Sequence, residues 1–247
     1  TGWLRAKARG VLAGVDIAMS VFQRVDQTLD AKAIMQDGAA LCAGDDIAVV
    51  RGSAAGILRA ERVALNFMQR MSGIASDTNR YVEAVRGLNA RIVDTRKTAP
   101  GHRYLDKYSV RMGGGYNHRL NLADGILIKD NHIQANAFRE MGLKEVIQLA
   151  LARASHTIKV EVEVEDMEQV NVALEAGAHI IMLDNMSVPE MAEAMKVIGD
   201  KAIVEASGGI TYDTVRAVAE TGVDLISIGG LTHSVDALDI SLDLEFD

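Results

Sequence analysis

The sequence predicts an α/β fold in which a β/α barrel of about six or seven parallel strands follows a smaller N-terminal α+β sandwich domain. After residue 90, short apolar segments alternate with amphipathic helical segments, and the late apolar segments recur about every 22 residues, the length of a compact strand–helix unit. The chain has 247 residues, 49% of them hydrophobic, which is ample for a hydrophobic core. We therefore predict an N-terminal domain over 1–75 and a barrel with the active site over 76–247.

The first part of the chain has the pattern of a small α+β unit. Residues 6–14 and 39–51 alternate short apolar runs with glycine, which favours short strands and turns. Apolar residues at helical spacing predict a helix over 15–25 and a long helix over 57–81. Ser72 and Gly73 are the expected point of an interruption in the long helix.

The barrel elements follow in regular alternation. The candidate strands are 91–94, 126–129, 158–164, 179–183, 202–205 and 225–228. The most regular helices are expected over 167–177, 187–199 and 211–222. A serine and a proline begin the second of these helices and glycines end all three, which are common helix start and stop signals.

Bulk composition excludes several classes of protein. The net charge of −8 disfavours general nucleic-acid binding, which needs a broad basic face. The single cysteine, Cys42, allows neither an internal disulfide nor a cysteine-based zinc site, and it fits a cytoplasmic location. Apolar runs stay well below the roughly 18 residues that span a membrane, so we expect no membrane partner.

Positive charge is concentrated in one stretch, residues 91–132, of an otherwise acidic chain. Its basic residues surround a glycine turn at 113–115: Arg96, Lys97, Arg103, Arg111, His118, Arg119, Lys129 and His132. Arginine and lysine on loops between strands suit a small anion with several charges. Since barrel loops meet at the carboxyl ends of the strands, we expect an anion site there.

Later strand ends carry carboxylates and glycines. Glu163 and Asp184 are suited to Mg²⁺ or to sugar hydroxyls. The glycine-rich turns contain Ser207, Gly208, Gly209 and Gly229. Turns of this kind expose backbone N–H groups that suit a phosphate. Together with the cations, these groups predict a single site, at the carboxyl ends of the strands, that binds a sugar phosphate, a metal ion and a second anion.

These strand-end residues also have simpler interpretations. Gly208 and Gly209 would serve equally well as a tight turn alone. Glu163 lies in a strand of alternating residues, and its simpler interpretation is a solvent-exposed residue of an edge strand. A position on an inner strand of the barrel disfavours that interpretation. Asp184 is a possible helix cap, although Ser187 is better placed for that role.

Among the cations, Lys129 is the strongest candidate for function. It follows an apolar run that should be buried, where lysine is rare. Arg103, Lys107 and Arg111 are instead expected to be surface charges.

Ordered motifs extend over essentially the whole chain. They are ER at 61–62, DTRKTAPG at 94–101, KYSV at 107–110, GGG at 113–115, NHR at 117–119, LIKDNH at 127–132, VEV at 162–164, LDN at 183–185, EASGG at 205–209 and LTHS at 231–234. In this order they resemble quinolinate phosphoribosyltransferase, also called carboxylating nicotinate-nucleotide pyrophosphorylase. Ala99 and His102 depart from the residues usual in the family without removing a charge.

The resemblance implies an enzyme that converts quinolinate and phosphoribosyl pyrophosphate into nicotinate mononucleotide, pyrophosphate and CO₂ in de novo NAD biosynthesis. It implies Mg²⁺, held by Glu163 and Asp184 directly or through water, and no organic cofactor. Catalysis is assigned to Lys129, Glu163 and Asp184. Quinolinate is assigned to Arg62, Thr95, Arg96, Lys97, His118, Arg119 and Lys129. Phosphoribosyl pyrophosphate is assigned to Lys129, His132, Glu163, Asp184, Ser207, Gly208, Gly209 and Gly229.

The resemblance also implies self-association, as a homodimer or hexamer in which Arg62 completes the neighbour's site. It further implies that the small domain lacks its first helix and strand, and that the C-terminal tail packs back on this domain. Two other functions stay open: a related transferase of the molybdenum-uptake type with a different acceptor, and a non-catalytic anion-binding module. CO₂ release from quinolinate discriminates the first, and the carboxylates Glu163 and Asp184 argue against the second.

Overall fold

A computed structural model describes residues 1–136 and 140–245. The chain divides into two compact units, and each draws on more than one segment. The first unit comprises Thr1–Val82, Lys97–Tyr116 and Gly229–Asp247. The second comprises Glu83–Arg96 and Asn117–Ile228.

Helices and strands alternate through most of the described chain. The helices are α1 (Val15–Val25), α2 (Ala54–Ala84), α3 (Arg103–Met112), α4 (Asp130–Asn136), α5 (Leu143–Arg153), α6 (Met167–Ala176), α7 (Val188–Ile198), α8 (Tyr212–Glu220) and α9 (Gly230–His233). The strands are β1 (Gly2–Ala6), β2 (Gly10–Val11), β3 (Asp30–Ala33), β4 (Ala40–Leu41), β5 (Asp46–Arg51), β6 (Arg91–Val93), β7 (Ile126–Ile128), β8 (Val160–Val164), β9 (Ile180–Asp184), β10 (Ile203–Ser207), β11 (Leu225–Ser227) and β12 (Ile240–Leu244). Within the described ranges, each helix is too short or too polar to cross a membrane.

The first unit is built on a four-stranded antiparallel sheet in the order β12–β1–β5–β3. Strands β1 and β12 come from opposite ends of the sequence and pair from Gly2 opposite Leu244 to Ala6 opposite Ile240. Helix α1 packs against β3 and β5 and buries Phe22 in the core of this unit. The predicted helix over 15–25 is confirmed.

Helix α2 corrects one expectation. The interruption expected at Ser72 and Gly73 is wrong, because the helix continues unbroken from Ala54 to Ala84. Gly73 instead permits a close backbone approach, since a Cβ there would lie 2.1 Å from the carbonyl oxygen of Asp236. The predicted domain boundary between residues 75 and 76 falls inside this helix and stays a prediction.

Helix α3 corrects a second expectation. Lys107 was expected to be a surface charge, but it is only 3% exposed, so that expectation is wrong. Lys107 and Val110 are three residues apart and share the buried face of α3. The adjacent Asp106 is also buried and accepts hydrogen bonds from the Arg70 guanidinium and the backbone N–H of Ala99. A charged residue type alone did not reveal which helix face packs inward.

The second unit contains six parallel strands in the order β6–β11–β10–β9–β8–β7. All six coincide, within two residues at either end, with the strands predicted from sequence. The valines of β8 at 160, 162 and 164 are buried, as expected for strands covered by helices. The predicted α/β fold class is confirmed, with a parallel sheet and a smaller antiparallel domain. Among the described residues, the two outer strands of the parallel sheet, β6 and β7, do not pair with each other.

Caps fix the ends of the helices between these strands. The Asp166 side chain accepts the N–H of Gln169 at the start of α6, and Gly177 ends that helix with a positive φ of 84°. Ser187 and Glu190 form a reciprocal capping box at the start of α7. The expectation that Ser187 caps this helix is confirmed, which leaves Asp184 without a capping role.

Candidate active site

Sheet register brings several predicted residues to one face of the second unit. Met182 lies opposite Glu163 on one side and opposite Glu205 on the other. Ser207 lies opposite Asp184. Side chains alternate along a strand and register partners point to the same face, so these polar residues share one side of the sheet.

Lys129 follows directly after β7 and meets Glu163. The register that places Ile128 opposite Val162 puts Lys129 opposite Glu163, and the two side chains form an ion pair. The Lys129 side chain is 45% exposed and that of Glu163 is 11% exposed. The backbone N–H of Lys129 donates to Nδ1 of His132 at 2.9 Å, so His132 holds the turn that carries the lysine.

Two guanidinium groups of this unit lie within electrostatic reach of each other. Burial and the positive charge of Arg96 lower the pKa of Arg119, while the negative charge of Glu161 opposes them. Nη1 of Arg119 donates to the carbonyl oxygen of Gly125 at 3.0 Å, which fixes the fork in place. Like charges held together in a half-buried position favour an anion as their counter-charge.

The buried Asp94, just after β6, holds the segment that carries these groups. Its Oδ2 accepts the side-chain amide of Asn117 at 2.6 Å, and its Oδ1 accepts the backbone N–H of His118 at 2.8 Å. Asp94 is not among the residues predicted from sequence to form the site. Its position shows that the carboxylate orients residues 117–119 rather than facing solvent.

His118, from this segment, forms a buried cluster with Glu161 and Glu205. Nε2 of His118 is 3.2 Å from Oε2 of Glu161 and 3.5 Å from Oε2 of Glu205, and these glutamates are only 5% and 1% exposed. Burial lowers the pKa of His118, but hydrogen bonds to the glutamates and their charges outweigh it and raise this pKa to about 10. Burial and the charge of Glu205 raise the pKa of Glu161. The cluster therefore retains more protons at neutral pH than its members would in water.

Glu161 and Glu205 were not among the predicted site residues. Glu163 is the predicted site residue of the alternating segment 161–165, although residues two apart on a strand, such as Glu161 and Glu163, point to the same face. That period of two was the available signal for Glu161. Glu205 lies at the end of a predicted strand, and only the register shows that it shares a face with Glu163.

Asp184 is held by a strained neighbour. Asn185 has a positive φ of 55°, and its side-chain amide donates to Oδ2 of Asp184 at 2.7 Å. Its backbone N–H donates to the carbonyl oxygen of Ser207 at 3.0 Å. Gly208 has φ 84°, and a Cβ there would lie 2.3 Å from Oδ1 of Asn185. Asn185 thus ties the carboxylate to the glycine turn, and only glycine fits at 208.

Three predicted site residues belong to the first unit. Arg62 is exposed on α2. The carbonyl oxygen of Lys97 accepts the Thr232 hydroxyl at 2.6 Å. Gly229 lies beside the Lys97 side chain, since a Cβ at 229 would be 3.1 Å from its Cδ. Lys97 and Gly229 are therefore neighbours within this unit.

The remaining predicted residues lie in the second unit: Thr95, Arg96, His118, Arg119, Lys129, His132, Glu163, Asp184, Ser207, Gly208 and Gly209. The clearest contacts within this set are the ion pair between Lys129 and Glu163 and the bond from Lys129 to His132. His118 is directed at Glu161 and Glu205, which the prediction omitted. The individual roles assigned to these residues stay predictions.

Two family models match consecutive parts of the chain. The N-terminal domain of quinolinate phosphoribosyl transferase matches residues 1–72, and its C-terminal domain matches residues 74–243. Together they account for almost the whole sequence, including the cluster of cations and carboxylates.

Similar proteins agree with these matches. The chain is 44% identical over 239 residues to a probable nicotinate-nucleotide pyrophosphorylase (carboxylating) of Bacillus subtilis, covering 97% of this chain and 81% of that protein. It is 42% identical over 249 residues to the corresponding protein of Mycobacterium leprae, covering 99% and 86%.

Solved structures give the same result. NadC from Streptococcus pyogenes is 42% identical with a TM-score of 0.91, covering 98% of this chain and 84% of that one. Nicotinate-nucleotide pyrophosphorylase from Ehrlichia chaffeensis is 37% identical with a TM-score of 0.93, covering 99% and 87%. On sequence, fold and extent of match, this chain belongs to the quinolinate phosphoribosyltransferase family.

Proposed function

We propose that this protein transfers the phosphoribosyl group of phosphoribosyl pyrophosphate to quinolinate in de novo NAD biosynthesis. The products are nicotinate mononucleotide, pyrophosphate and CO₂. The observation that carries the proposal is the Lys129–Glu163 ion pair, on the sheet face that also presents Asp184 and Ser207. This face offers a cation and carboxylates at the carboxyl ends of parallel strands, where barrel enzymes place their chemistry.

The dicarboxylate substrate requires fixed positive charge. Arg96 and Arg119 repel each other across a half-buried space, so a bound dianion relieves an existing electrostatic cost. Their planar forks match carboxylate geometry. Thr95, His118 and Lys129 are the other second-unit residues assigned to quinolinate. Arg62 and Lys97 of the first unit keep the same predicted role.

The phosphoribosyl group requires hydroxyl acceptors and a phosphate cradle. Glu163 and Asp184 provide acceptors for ribose hydroxyls. Gly208 and Gly209 follow Ser207 with φ of 84° and 61°, and we propose that the backbone N–H groups of this turn hold the phosphate. His132 and Gly229 complete the residues proposed for this substrate.

A magnesium ion fits the same carboxylates. Lys129 engages one oxygen of Glu163, and Asn185 engages one oxygen of Asp184. Their other oxygens would hold the ion directly or through water, because Mg²⁺ prefers oxygen ligands and keeps several waters. When bound, the ion would neutralise charge on the leaving pyrophosphate.

The reaction then needs little further help from the protein. The pyridine nitrogen attacks the anomeric carbon as the bond to pyrophosphate breaks, and Glu163 and Asp184 stabilise the positive charge that grows on the ribose. Quaternary nitrogen draws electrons, so the adjacent C–CO₂⁻ bond breaks and the electron pair stays on the ring carbon, which then takes a proton. Lys129, between the two substrates, orients both. An organic cofactor is not required by this chemistry.

Self-association is part of the proposal. In the first unit, large apolar side chains are exposed on α2 and α3: Leu58, Val63, Tyr104 and Tyr108. One of them, Val63, also lines a mostly apolar cavity, together with Asn66, Phe67, Arg70, Met71, His102, Leu105 and Asp106. Exposed apolar patches of this kind mark interfaces. We propose a homodimer or hexamer in which Arg62, next to Val63, reaches a neighbouring copy; a cytoplasmic location remains a prediction.

Product analysis tests the proposed reaction. Protein incubated with quinolinate, phosphoribosyl pyrophosphate and Mg²⁺ should form nicotinate mononucleotide and CO₂ in equal amounts. Arg119→Ala should lower kcat/KM for quinolinate by about 100-fold or more, because a bidentate charge-assisted contact is lost. Arg216→Ala is the matched control, since Arg216 also bonds a backbone carbonyl but lies on the outer face of α8. Transfer without CO₂ release would instead indicate a different acceptor.

A further inference from the structure

Asn185 follows Asp184 at the carboxyl end of β9 and adopts a left-handed backbone conformation, with φ of 55°. In the part of the chain that the structure describes, Glu140 is the other non-glycine residue with a positive φ. Asparagine tolerates this conformation better than most residues, but glycine accepts it at no steric cost. Glycine would therefore serve the backbone equally well, so the asparagine side chain requires a separate explanation.

The Asn185 side chain contacts two different parts of the candidate site. Its Nδ2 donates to Oδ2 of Asp184 at 2.7 Å. Its Oδ1 lies against Gly208, where a Cβ would come within 2.3 Å of it. The backbone N–H of Asn185 also donates to the carbonyl oxygen of Ser207 at 3.0 Å, and Ser207 is the register partner of Asp184. One residue thus connects the carboxylate at the end of β9 with the turn that follows β10.

The bond from Asn185 restricts how the Asp184 carboxylate can be used. An aspartate side chain that reaches solvent ordinarily samples several rotamers. Asp184 is only partly buried and Asn185 is exposed, so their bond competes with water and adds little to folding stability. Its clearer effect is on geometry, because it occupies Oδ2 and leaves Oδ1 for a ligand. An acceptor that is held in place before the substrate arrives lowers the entropic cost of binding.

We propose that Asn185 is a positioning residue for phosphoribosyl pyrophosphate, and that its side chain sets the Asp184 carboxylate at a fixed place relative to the turn over 207–209. The ribose ring fixes the spacing between its hydroxyls and its 5′-phosphate within narrow limits, so the groups that hold them must keep a matching spacing. Asn185 maintains this spacing and acts through Asp184 rather than on a reacting atom. The identity of the substrate rests on the proposed function.

Calorimetric titration of the whole protein with phosphoribosyl pyrophosphate and Mg²⁺ tests this role. Asn185→Gly accepts the left-handed backbone and keeps the backbone bond to Ser207, but it removes the side chain. We expect it to raise the Kd for phosphoribosyl pyrophosphate about 3- to 10-fold, because a charge-assisted hydrogen bond that orients Asp184 is lost. The Kd for quinolinate, titrated separately, should stay unchanged.

A second substitution separates the amide donor from the shape of the side chain. Aspartate at 185 has nearly the same size and also tolerates the left-handed backbone, but its carboxylate accepts hydrogen bonds only and repels Asp184. Asn185→Asp should therefore raise the Kd for phosphoribosyl pyrophosphate at least as much as Asn185→Gly. Asn89→Gly is the matched control, because the Asn89 amide also donates to an aspartate, Asp224, at 3.2 Å, but does so ahead of β6 and β11. This control should leave the Kd unchanged.

A double-mutant cycle shows whether Asn185 acts through Asp184. In an Asp184→Ala background no carboxylate is left to hold, so adding Asn185→Gly should raise the Kd by less than about twofold further. A further rise as large as in the unaltered protein, or an unchanged Kd in Asn185→Gly or Asn185→Asp, would overturn the proposal. An equal rise in the Kd for quinolinate would show general disruption and would overturn it too. If the unaltered protein itself does not bind phosphoribosyl pyrophosphate, the proposed function is wrong, and this role is wrong with it.

Discussion

Glu161 and Glu163 lie two residues apart on β8 and point to the same face, yet their surroundings differ. Glu163 pairs with Lys129, whose side chain is nearly half exposed at the end of the sheet. Glu161 is buried, faces a histidine ring and lies beside a second buried carboxylate. Two residues along the strand thus separate Glu163, whose carboxylate is accessible to a ligand, from Glu161, whose carboxylate is not.

The comparison shows how depth along a barrel strand assigns roles. Separating a partly exposed ion pair costs little free energy. Lys129 and Glu163 can therefore release each other and bind substrate groups instead. Buried charges are costly to uncover and stay with their partners. The outer level therefore suits catalysis, and the inner level suits positioning of the groups above it.

Replacing Lys129, the cation of the outer level, should have the largest effect on the reaction rate. We expect Lys129→Ala to lower kcat by about 100- to 1000-fold, because an electrostatic stabiliser aimed at the reacting groups is lost. Steady-state assays with saturating quinolinate and phosphoribosyl pyrophosphate measure this loss. Lys144→Ala is a matched control, because Lys144 also pairs with a glutamate, Glu175, but does so on the surface between helices. Similar rates for the Lys129→Ala and Lys144→Ala variants would remove Lys129 from the mechanism.

The second outer carboxylate should show an intermediate effect. Asp184→Asn should raise the KM for phosphoribosyl pyrophosphate, and the Mg²⁺ concentration for half-maximal rate, by about tenfold, since a charged acceptor becomes neutral. The KM for quinolinate should stay unchanged. Asp200→Asn, at an exposed turn after α7, serves as the control. A rise in the KM for quinolinate alone would show that Asp184 is assigned to the wrong substrate.

An exposed carboxylate in the first turn of α7, Glu190, gives the smallest effect and sharpens the contrast. Hydrogen bonds from the Ser187 hydroxyl and backbone N–H lower the pKa of Glu190. A lowered pKa in the folded state adds stability above the ordinary pKa of glutamate, and that stability is lost as pH falls through the lowered value. Denaturant unfolding should show Glu190→Gln less stable than the unaltered protein at neutral pH, with the difference vanishing in acid. A difference independent of pH would contradict this origin.

Much of the fold followed from local pattern. The helix over 15–25 and the six parallel strands were predictable because apolar period, caps and glycine stops agree there. Strand β3 was not predicted, since its segment Asp30–Ala33 is mostly exposed and lacks an apolar alternation. Gly73 was misjudged because its reason is a distant carbonyl, that of Asp236, which no local pattern contains.

The site was less predictable than the fold for a related reason. Sequence identifies charged residues at strand ends but not their level along the barrel. Glu161 and Glu163 have the same parity, the same neighbours in type and the same strand. Only the pairing of Glu163 with Lys129 and the contact of Glu161 with His118 distinguish them. Pairing between strands is set by long-range contacts, so the depth of each carboxylate requires the structure.

A crystal structure with quinolinate bound would test the two-level arrangement most directly. We expect the substrate carboxylates on the guanidinium groups of Arg96 and Arg119, with Lys129 alongside. The His118 ring should still bond the Arg119 N–H and Glu161. A ligand held by Glu161, or quinolinate bound away from Arg96 and Arg119, would contradict the separation of outer and inner levels.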